Sequence, residues 1–242
     1  MKKNTDIVAI IPARSQSKGI KNKNIAKLNG KELLGYTITC ALKSKRINRV
    51  IVSTDSKKYA DIAKKFGAEI PFLRPKNIST DKSTDILFFK HTLNWLSKHE
   101  GSVPEFFIHL RPTTPFRDPK IIDKAINTFI KSKYSALRSC HKMSESSYKT
   151  FEIKNKKLIT ICNKNSNIEQ ANRNRQSFPI TYNANGYVDI IRTDMIIKDN
   201  MIHGDKVLGF VTDSVLEVDD KHDLSRLEYE INKNPILYKK IF

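Results

Sequence analysis

A doubly wound α/β fold with a mostly parallel sheet is what this sequence predicts, and three observations predict it. Residues 7–11, Ile-Val-Ala-Ile-Ile, are five consecutive apolar residues without period-2 polarity, the pattern of a strand buried on both faces. Strand-like and helix-like stretches then alternate through the first 75 residues, as βαβ units do. Finally, the first strand runs into a polar loop carrying Arg14, Lys18, Lys21 and Lys23. Ligands of open α/β sheets bind beyond the carboxyl ends of the strands, so these cations stand where a phosphate-bearing ligand would be held.

Length and composition narrow the function classes. A chain of 242 residues with 39% hydrophobic and 29% charged residues can bury one generous α/β core. No apolar run approaches the roughly eighteen residues of a membrane span, and no apolar signal region precedes the first strand, so a cytoplasmic protein is expected. Cys40, Cys140 and Cys162 have no zinc-site spacing and are expected to be reduced. The formal charge of +19 could mark a nucleic-acid-binding surface. The cations are spread along the whole chain without an arginine-rich tract or interleaved aromatics, which favours a lysine-rich surface instead.

Taken in order, residues 31–44 place Leu34, Ile38, Ala41 and Leu42 on one helical face. Residues 49–53 read as a second buried strand, ended by Thr54-Asp55-Ser56, a natural N-cap region. Tyr59, Ile62, Ala63 and Phe66 define the next helix, stopped by Gly67, and a short strand is expected at 69–72. A helix over 85–96 buries Ile86, Phe89, Leu93 and Leu96. Strand 106–110 ends in Arg111-Pro112-Thr113-Thr114-Pro115, where two prolines stiffen the backbone and leave hydroxyls for a ligand. Asp118 and Pro119 open a helix with Ile122, Ala125, Ile126 and Phe129 inward. Strand 135–140 follows, then two strand-like runs flanking 154–157 as a hairpin, a polar stretch at 163–174, and strands at 187–191 and 206–212. Glu217 and Asp219 fall on one side of an extended segment, roughly 6–7 Å apart, and suit a hard cation that also binds phosphate oxygens. Asp220 and Asp223 are read as caps of a terminal helix.

The first loop matches neither of the commonest phosphate-loop patterns. Its Pro12-Ala13-Arg14-x-x-Ser17-Lys18-Gly19-x-x-x-Lys23-Asn24 resembles the signature of the cytidylyltransferases that activate sialic and related nonulosonic acids. The resemblance continues through Ser53-Thr54-Asp55, Arg74-Pro75 and Thr80 to Thr84. Arg111-Pro-Thr-Thr-Pro-Phe-Arg117 is similar to a second family signature in which glutamine usually stands at Arg111. Asn183 to Gly186 and Glu217-Val-Asp219 resemble two more, with Asn183 at an arginine position and Glu217 at an aspartate position.

That resemblance implies a nucleotide-diphospho-sugar transferase-like Rossmann variant, a single domain over 1–242 with residues 141–182 as a dimerisation and substrate-lid excursion. It implies transfer of a cytidylyl group from CTP to an acidic nonulosonic sugar by a homodimer, with release of pyrophosphate. Arg14, Lys18 and Asp219 would be catalytic. Ala13, Arg14, Ser15, Ser17, Lys18, Lys23, Asn24, Arg74, Asp81 and Ser83 would hold the nucleotide. Arg111, Thr113, Thr114, Lys149, Arg175 and Asn185 would hold the sugar, and Glu217 and Asp219 would hold Mg²⁺. Two alternatives remain at this stage: a nucleotidyltransferase for a hexosamine 1-phosphate, and a non-catalytic nucleic-acid-binding protein.

Overall fold

The computed structural model describes residues 2–16, 19–162, 167–239 and 241–242. Its frame is one six-stranded sheet. The strands, in chain order, are β1 (Val8–Pro12), β2 (Arg49–Ser53), β3 (Phe106–His109), β4 (Ala136–Lys142), β7 (Tyr182–Arg192) and β8 (Val207–Val211), with β5 (Phe151–Lys154) and β6 (Lys157–Thr160) forming a separate hairpin. Across the sheet the order is β8-β4-β7-β3-β1-β2. Neighbours β3, β1 and β2 are parallel, as are β8 and β4, whereas β7 runs antiparallel to both of its neighbours. The sheet is thus mostly parallel with one reversed strand at the seam.

Why β1 is central follows from its side chains. Val8, Ala9, Ile10 and Ile11 are all fully buried, and the pleat sends them alternately to two cores. Ala9 and Ile11 meet α1 (Leu33–Leu42), α2 (Lys57–Lys65) and α4 (Pro119–Ile130) through Leu34, Tyr59, Ala63, Ile122 and Phe129. Val8 and Ile10 meet α3 (Asp85–Glu100) through Phe88, Phe89, Leu93 and Leu96. Burying one such side chain contributes about 1.5–3 kcal/mol, and a polar replacement on either face would lose that and add a desolvation cost.

Helix termini obey local chemistry. The Ser56 side chain accepts from the Tyr59 N–H at the start of α2, and Asp118 accepts from the Lys120 N–H ahead of Pro119 in α4. Gly101, at φ 70°, ends α3 in the left-handed conformation. A capping box of Asp220 and Asp223 opens the terminal helix. That helix breaks at Asn234, because Pro235 begins a second short one.

One expectation changes. The strand expected at 69–72 is a single bridge, Ile51 to Glu69, because Pro71 has no N–H to continue a ladder. Asn185-Gly186 lies inside the eleven-residue β7, where the register with β4 shifts between Ala184 and Asp189. A bulge here needs the positive φ of 62° that Gly186 supplies. The hairpin turn is at Asn155-Lys156, both at positive φ, which is the twist that short hairpins favour.

A third core explains how the two chain ends meet. Ile20 and Leu28 from the first loop pack with Val218, Leu227, Ile231 and Ile241 from the carboxyl-terminal segment around Leu33 and Tyr36. The Tyr36 ring contacts Phe116, Tyr238 and Phe242 edge-on, and its hydroxyl donates to the Leu28 carbonyl at 2.6 Å.

Candidate active site

At the carboxyl ends of β1 and β3 lies a cavity of about 460 Å³, where an open α/β sheet places its ligand. Four distant segments wall it. The first loop supplies Arg14, Gly19, Lys23 and Asn24; residues 74–85 supply Arg74, Asp81 and Ser83; the turn after β3 supplies Arg111 and Thr113; the carboxyl-terminal segment supplies Asp219. Lys18 and Ser17, expected at its centre, lie outside the described residues.

The cations here are already engaged with acids. Arg14 pairs with Asp81. Lys23 Nζ lies 3.2 Å from Asp219 Oδ1, a contact spanning 196 positions of sequence. Asn24 donates to the Arg14 carbonyl at 3.0 Å, closing the loop on itself. Contact between loop and tail is intimate: a Cβ built on Gly19 would stand 2.6 Å from the Asp219 carbonyl oxygen.

Arg74 is the exception among these cations. It is 6% exposed, its Nε and Nη2 make no hydrogen bond, and its guanidinium rests 5.8 Å above the Phe88 ring. Burial lowers its pKa, opposed by Asp55. A buried cation with two unused donors in a cavity wall is built for a polar ligand.

Around Arg111 the electrostatics are different. Its Nη2 is 3.6 Å from Asp85 Oδ2 and 3.7 Å from Asp189 Oδ2. Asp189 is 3% exposed, faces His109 and Arg138 across the β7 ladders, and keeps Oδ1 without a hydrogen bond. Burial raises its carboxyl, opposed by Arg111 and Arg138. Burial also holds the His109 imidazole well below its usual range, and hence neutral. None of Asp85, Asp189, His109 or Arg138 carries a signature motif; the register of three strands and a helix start assembles them.

Several expected ligand residues instead form scaffold. Ala13 is fully buried among core side chains, its N–H bound to the Ser53 carbonyl. Ser15 is turned to Asp55, which accepts from both its N–H (2.8 Å) and its hydroxyl (2.7 Å). Thr114 is fully buried, and its carbonyl accepts from Arg117. The Asn185 amide donates to Thr212 Oγ1 at 2.7 Å while its oxygen accepts from the Tyr187 N–H, so it holds the bulge rather than facing the cavity. Ser83 does line the cavity, with its hydroxyl accepting from the Thr80 N–H. Lys149 and Arg175 do not line it; Lys149 sits in a short 3₁₀ turn, and Arg175 donates to the Ser144 carbonyl beside a separate, smaller pocket. Arg117 anchors the floor, donating to the carbonyls of Tyr187 (2.6 Å), Arg111 (2.8 Å) and Gly186 (2.9 Å).

The two acids expected to bind metal differ. Asp219 reaches the cavity with a side chain 78% exposed. Glu217 accepts from Thr113 Oγ1 at 2.8 Å, while the neighbouring Val218 N–H binds the Thr113 carbonyl. No cluster of three or more His, Cys, Asp or Glu side chains suited to a metal occurs among the described residues. That donor set fits Mg²⁺, which is commonly held by one or two carboxylates together with substrate phosphates, and fits no all-protein cage.

Comparison with known proteins bears on the family and the fold. A family model described as "Cytidylyltransferase" matches residues 8–217. The N-acylneuraminate cytidylyltransferase of Escherichia coli is 33% identical over 244 residues, covering 98% of this chain, and the chain spans only 56% of that relative. The CMP-N,N'-diacetyllegionaminic acid synthase of Campylobacter jejuni is 30% identical over 94% of this chain and 95% of its own. Among solved structures, a CMP:2-keto-3-deoxy-manno-octonic acid synthetase complexed with CTP superposes with a TM-score of 0.70 at 13% identity, over 95% of this chain and 99% of that one, a likeness of fold.

Proposed function

The chain belongs to the cytidylyltransferase family, and from that premise we propose that it transfers the cytidylyl group of CTP to an acidic nonulosonic sugar. In this reaction the anomeric hydroxyl of the sugar attacks the α-phosphorus, the bond to the bridging oxygen breaks, and pyrophosphate leaves. The observation that carries the reading is the convergence of Arg14, Lys23, Arg74 and Asp219 on one cavity.

Each residue has a task that its geometry suits. Arg14 and Lys23 neutralise the triphosphate and the leaving pyrophosphate, whose charge grows as the bond breaks. To do so they exchange Asp81 and Asp219 for phosphate oxygens, and the exchange with Lys23 leaves the Asp219 carboxylate available. Asp219, with Glu217 held beside it on Thr113, would bind Mg²⁺. When bound, that ion adds charge neutralisation and orients phosphate oxygens. Arg74 and the hydroxyls around Ser83 serve the nucleoside end. The relatives' printed names support the acceptor class: N-acylneuraminate and diacetyllegionaminic acid.

The excursion supports a homodimer. Ile153 is 77% exposed and Leu158 48% on a hairpin too small to be stable alone, and Ile180, ahead of β7, is 59% exposed. In a dimer, Lys149 and Arg175 could serve the cavity of the second subunit. The reaction is assigned to the cytoplasm, where nucleoside triphosphates are made. A hexosamine 1-phosphate acceptor is disfavoured because Arg111, the cation that would grip its phosphate, is already flanked by Asp85 and Asp189.

The test is direct. Purified protein is incubated with Mg²⁺, each of the four nucleoside triphosphates and a panel of acidic sugars, and pyrophosphate is measured. Release is expected with CTP and a nonulosonic acid and abolished by EDTA. Turnover of UTP with a hexosamine 1-phosphate, or none with any acidic sugar, would overturn the proposal.

A further inference from the structure

Resting on the cytidylyl-transfer reading, we propose that Asp189 and Asp85 hold Arg111 as a charge-balanced donor that reads an uncharged carbonyl oxygen of the acceptor, its acylamino group, and not its carboxylate. Asp189 is the positioning residue. Arg111 is the specificity-determining one.

The argument starts from charge. Within ion-pairing distance the cluster contains two guanidinium groups, Arg111 and Arg138, and two carboxylates, Asp85 and Asp189. The adjoining His109 is fully enclosed and uncharged. Arg111 therefore offers no net positive charge to a ligand, although it lines the cavity with a side chain 30% exposed. Its distances to the two acids, 3.6 and 3.7 Å, exceed a direct hydrogen bond. Its charge is thus balanced without those carboxylates consuming its donors.

Chemistry then selects the partner. A guanidinium only donates, so its best partner only accepts. A third carboxylate, from the ligand, would add an uncompensated negative charge to a balanced, partly buried cluster, at a desolvation cost. Of the oxygens that accept, do not donate and carry no charge, a carbonyl oxygen is the strong acceptor and the ring ether oxygen of a sugar a weak one. On an acidic keto-sugar the strong acceptor is the acylamino carbonyl, because the acid itself is ionised. Asp189 is fixed by both of its neighbouring strands and cannot follow a moving guanidinium, so it sets where the fork points.

The experiment compares two acceptors that share the carboxylate and differ in the acylamino group: N-acetylneuraminic acid and its analogue with a hydroxyl in that place. Both compete in one reaction with CTP, and the ratio of kcat/KM values is read from the products. Charge effects on the common carboxylate cancel in that ratio. Arg111→Ala and Asp189→Asn are each expected to lower the preference for the acylated sugar about tenfold, with the KM for CTP changed less than twofold. Arg111→Gln, which keeps an uncharged donor, should retain the preference within about threefold. Asp189→Asn added to Arg111→Ala should change the ratio no further. If Asp189→Asn does not fold, Asp85→Asn at the exposed start of α3 carries the same expectation with smaller amplitude. Equal weakening of both acceptors in Arg111→Ala, or a second tenfold loss in the double variant, would overturn the inference while leaving cytidylyl transfer standing. If the wild-type protein prefers another acylamino-bearing nonulosonic acid, the same ratio is read for that acid and its hydroxyl analogue; no turnover of any acidic sugar with CTP would remove both readings.

Discussion

Replacing Gly19 by alanine tests how closely the two ends of the chain must approach for the site to work. The added Cβ would meet the Asp219 carbonyl oxygen at 2.6 Å. This is backbone, so no side-chain rotation relieves the clash, and reaching even the closest normal contact demands a displacement of about 0.4 Å or more. That displacement separates the segment holding Lys23 from the one holding Asp219, whose side chains lie 3.2 Å apart. Overpacking of this kind costs roughly 1–3 kcal/mol of stability, and misplacing catalytic groups by about 1 Å can cost about 100-fold in rate. The expected outcome is a folded Gly19→Ala protein with kcat/KM for CTP reduced between about 10- and 100-fold. Initial rates of pyrophosphate release and a thermal melt measure both effects. Wild-type kinetics in a correctly folded variant would refute the claim that loop and tail cooperate through this contact.

Three further outcomes are expected. Asp219→Asn should lower turnover at least about 100-fold while leaving the melting temperature nearly unchanged, because its side chain is 78% exposed; a turnover assay paired with calorimetry checks this. Arg117→Ala strips donors from the buried carbonyls of Arg111, Gly186 and Tyr187 and should cost roughly 1–3 kcal/mol for each carbonyl left unsatisfied, read by urea unfolding. Burial holds the His109 imidazole well below its ordinary value of about 6.5, so the unfolded chain binds the extra proton first. Its stability contribution is therefore complete above pH 6.5 and erodes as pH falls, by about 1.4 kcal/mol per unit. Melting temperatures between pH 7.5 and 5.5 should fall more gently in His109→Gln, with the half-buried His203, shifted in the same direction, leaving a residual slope.

Most of the frame was legible because strands buried on both faces leave apolar runs and helices leave periodic ones. Residues 7–11 and 49–53 needed no tertiary knowledge, and neither did the caps at Ser56, Asp118 and Asp220. The reversed direction of β7 was not legible, since strand polarity depends on connections that local pattern does not record. The same limit applies to the site. Arg14, Lys23, Asn24, Arg74, Thr113 and Asp219 carried a motif and do line the cavity. The Asp85, His109, Arg138 and Asp189 cluster is created by register alone. Ala13, Thr114 and Asn185 illustrate the converse, because a motif position can be occupied by a residue that shapes the loop from beneath.

The interrupted pairing of β7 divides that strand into two mechanical halves. Residues 182–184 pair with β4 near the excursion and residues 189–192 pair beneath the cavity, with no ladder joining the halves in between. The bulge between them is anchored by Arg117, Thr212 and Ser139, so the inner half does not depend on the register of the outer one. The segment that precedes β7 can therefore change in length or shape while the inner half keeps Asp189 under Arg111.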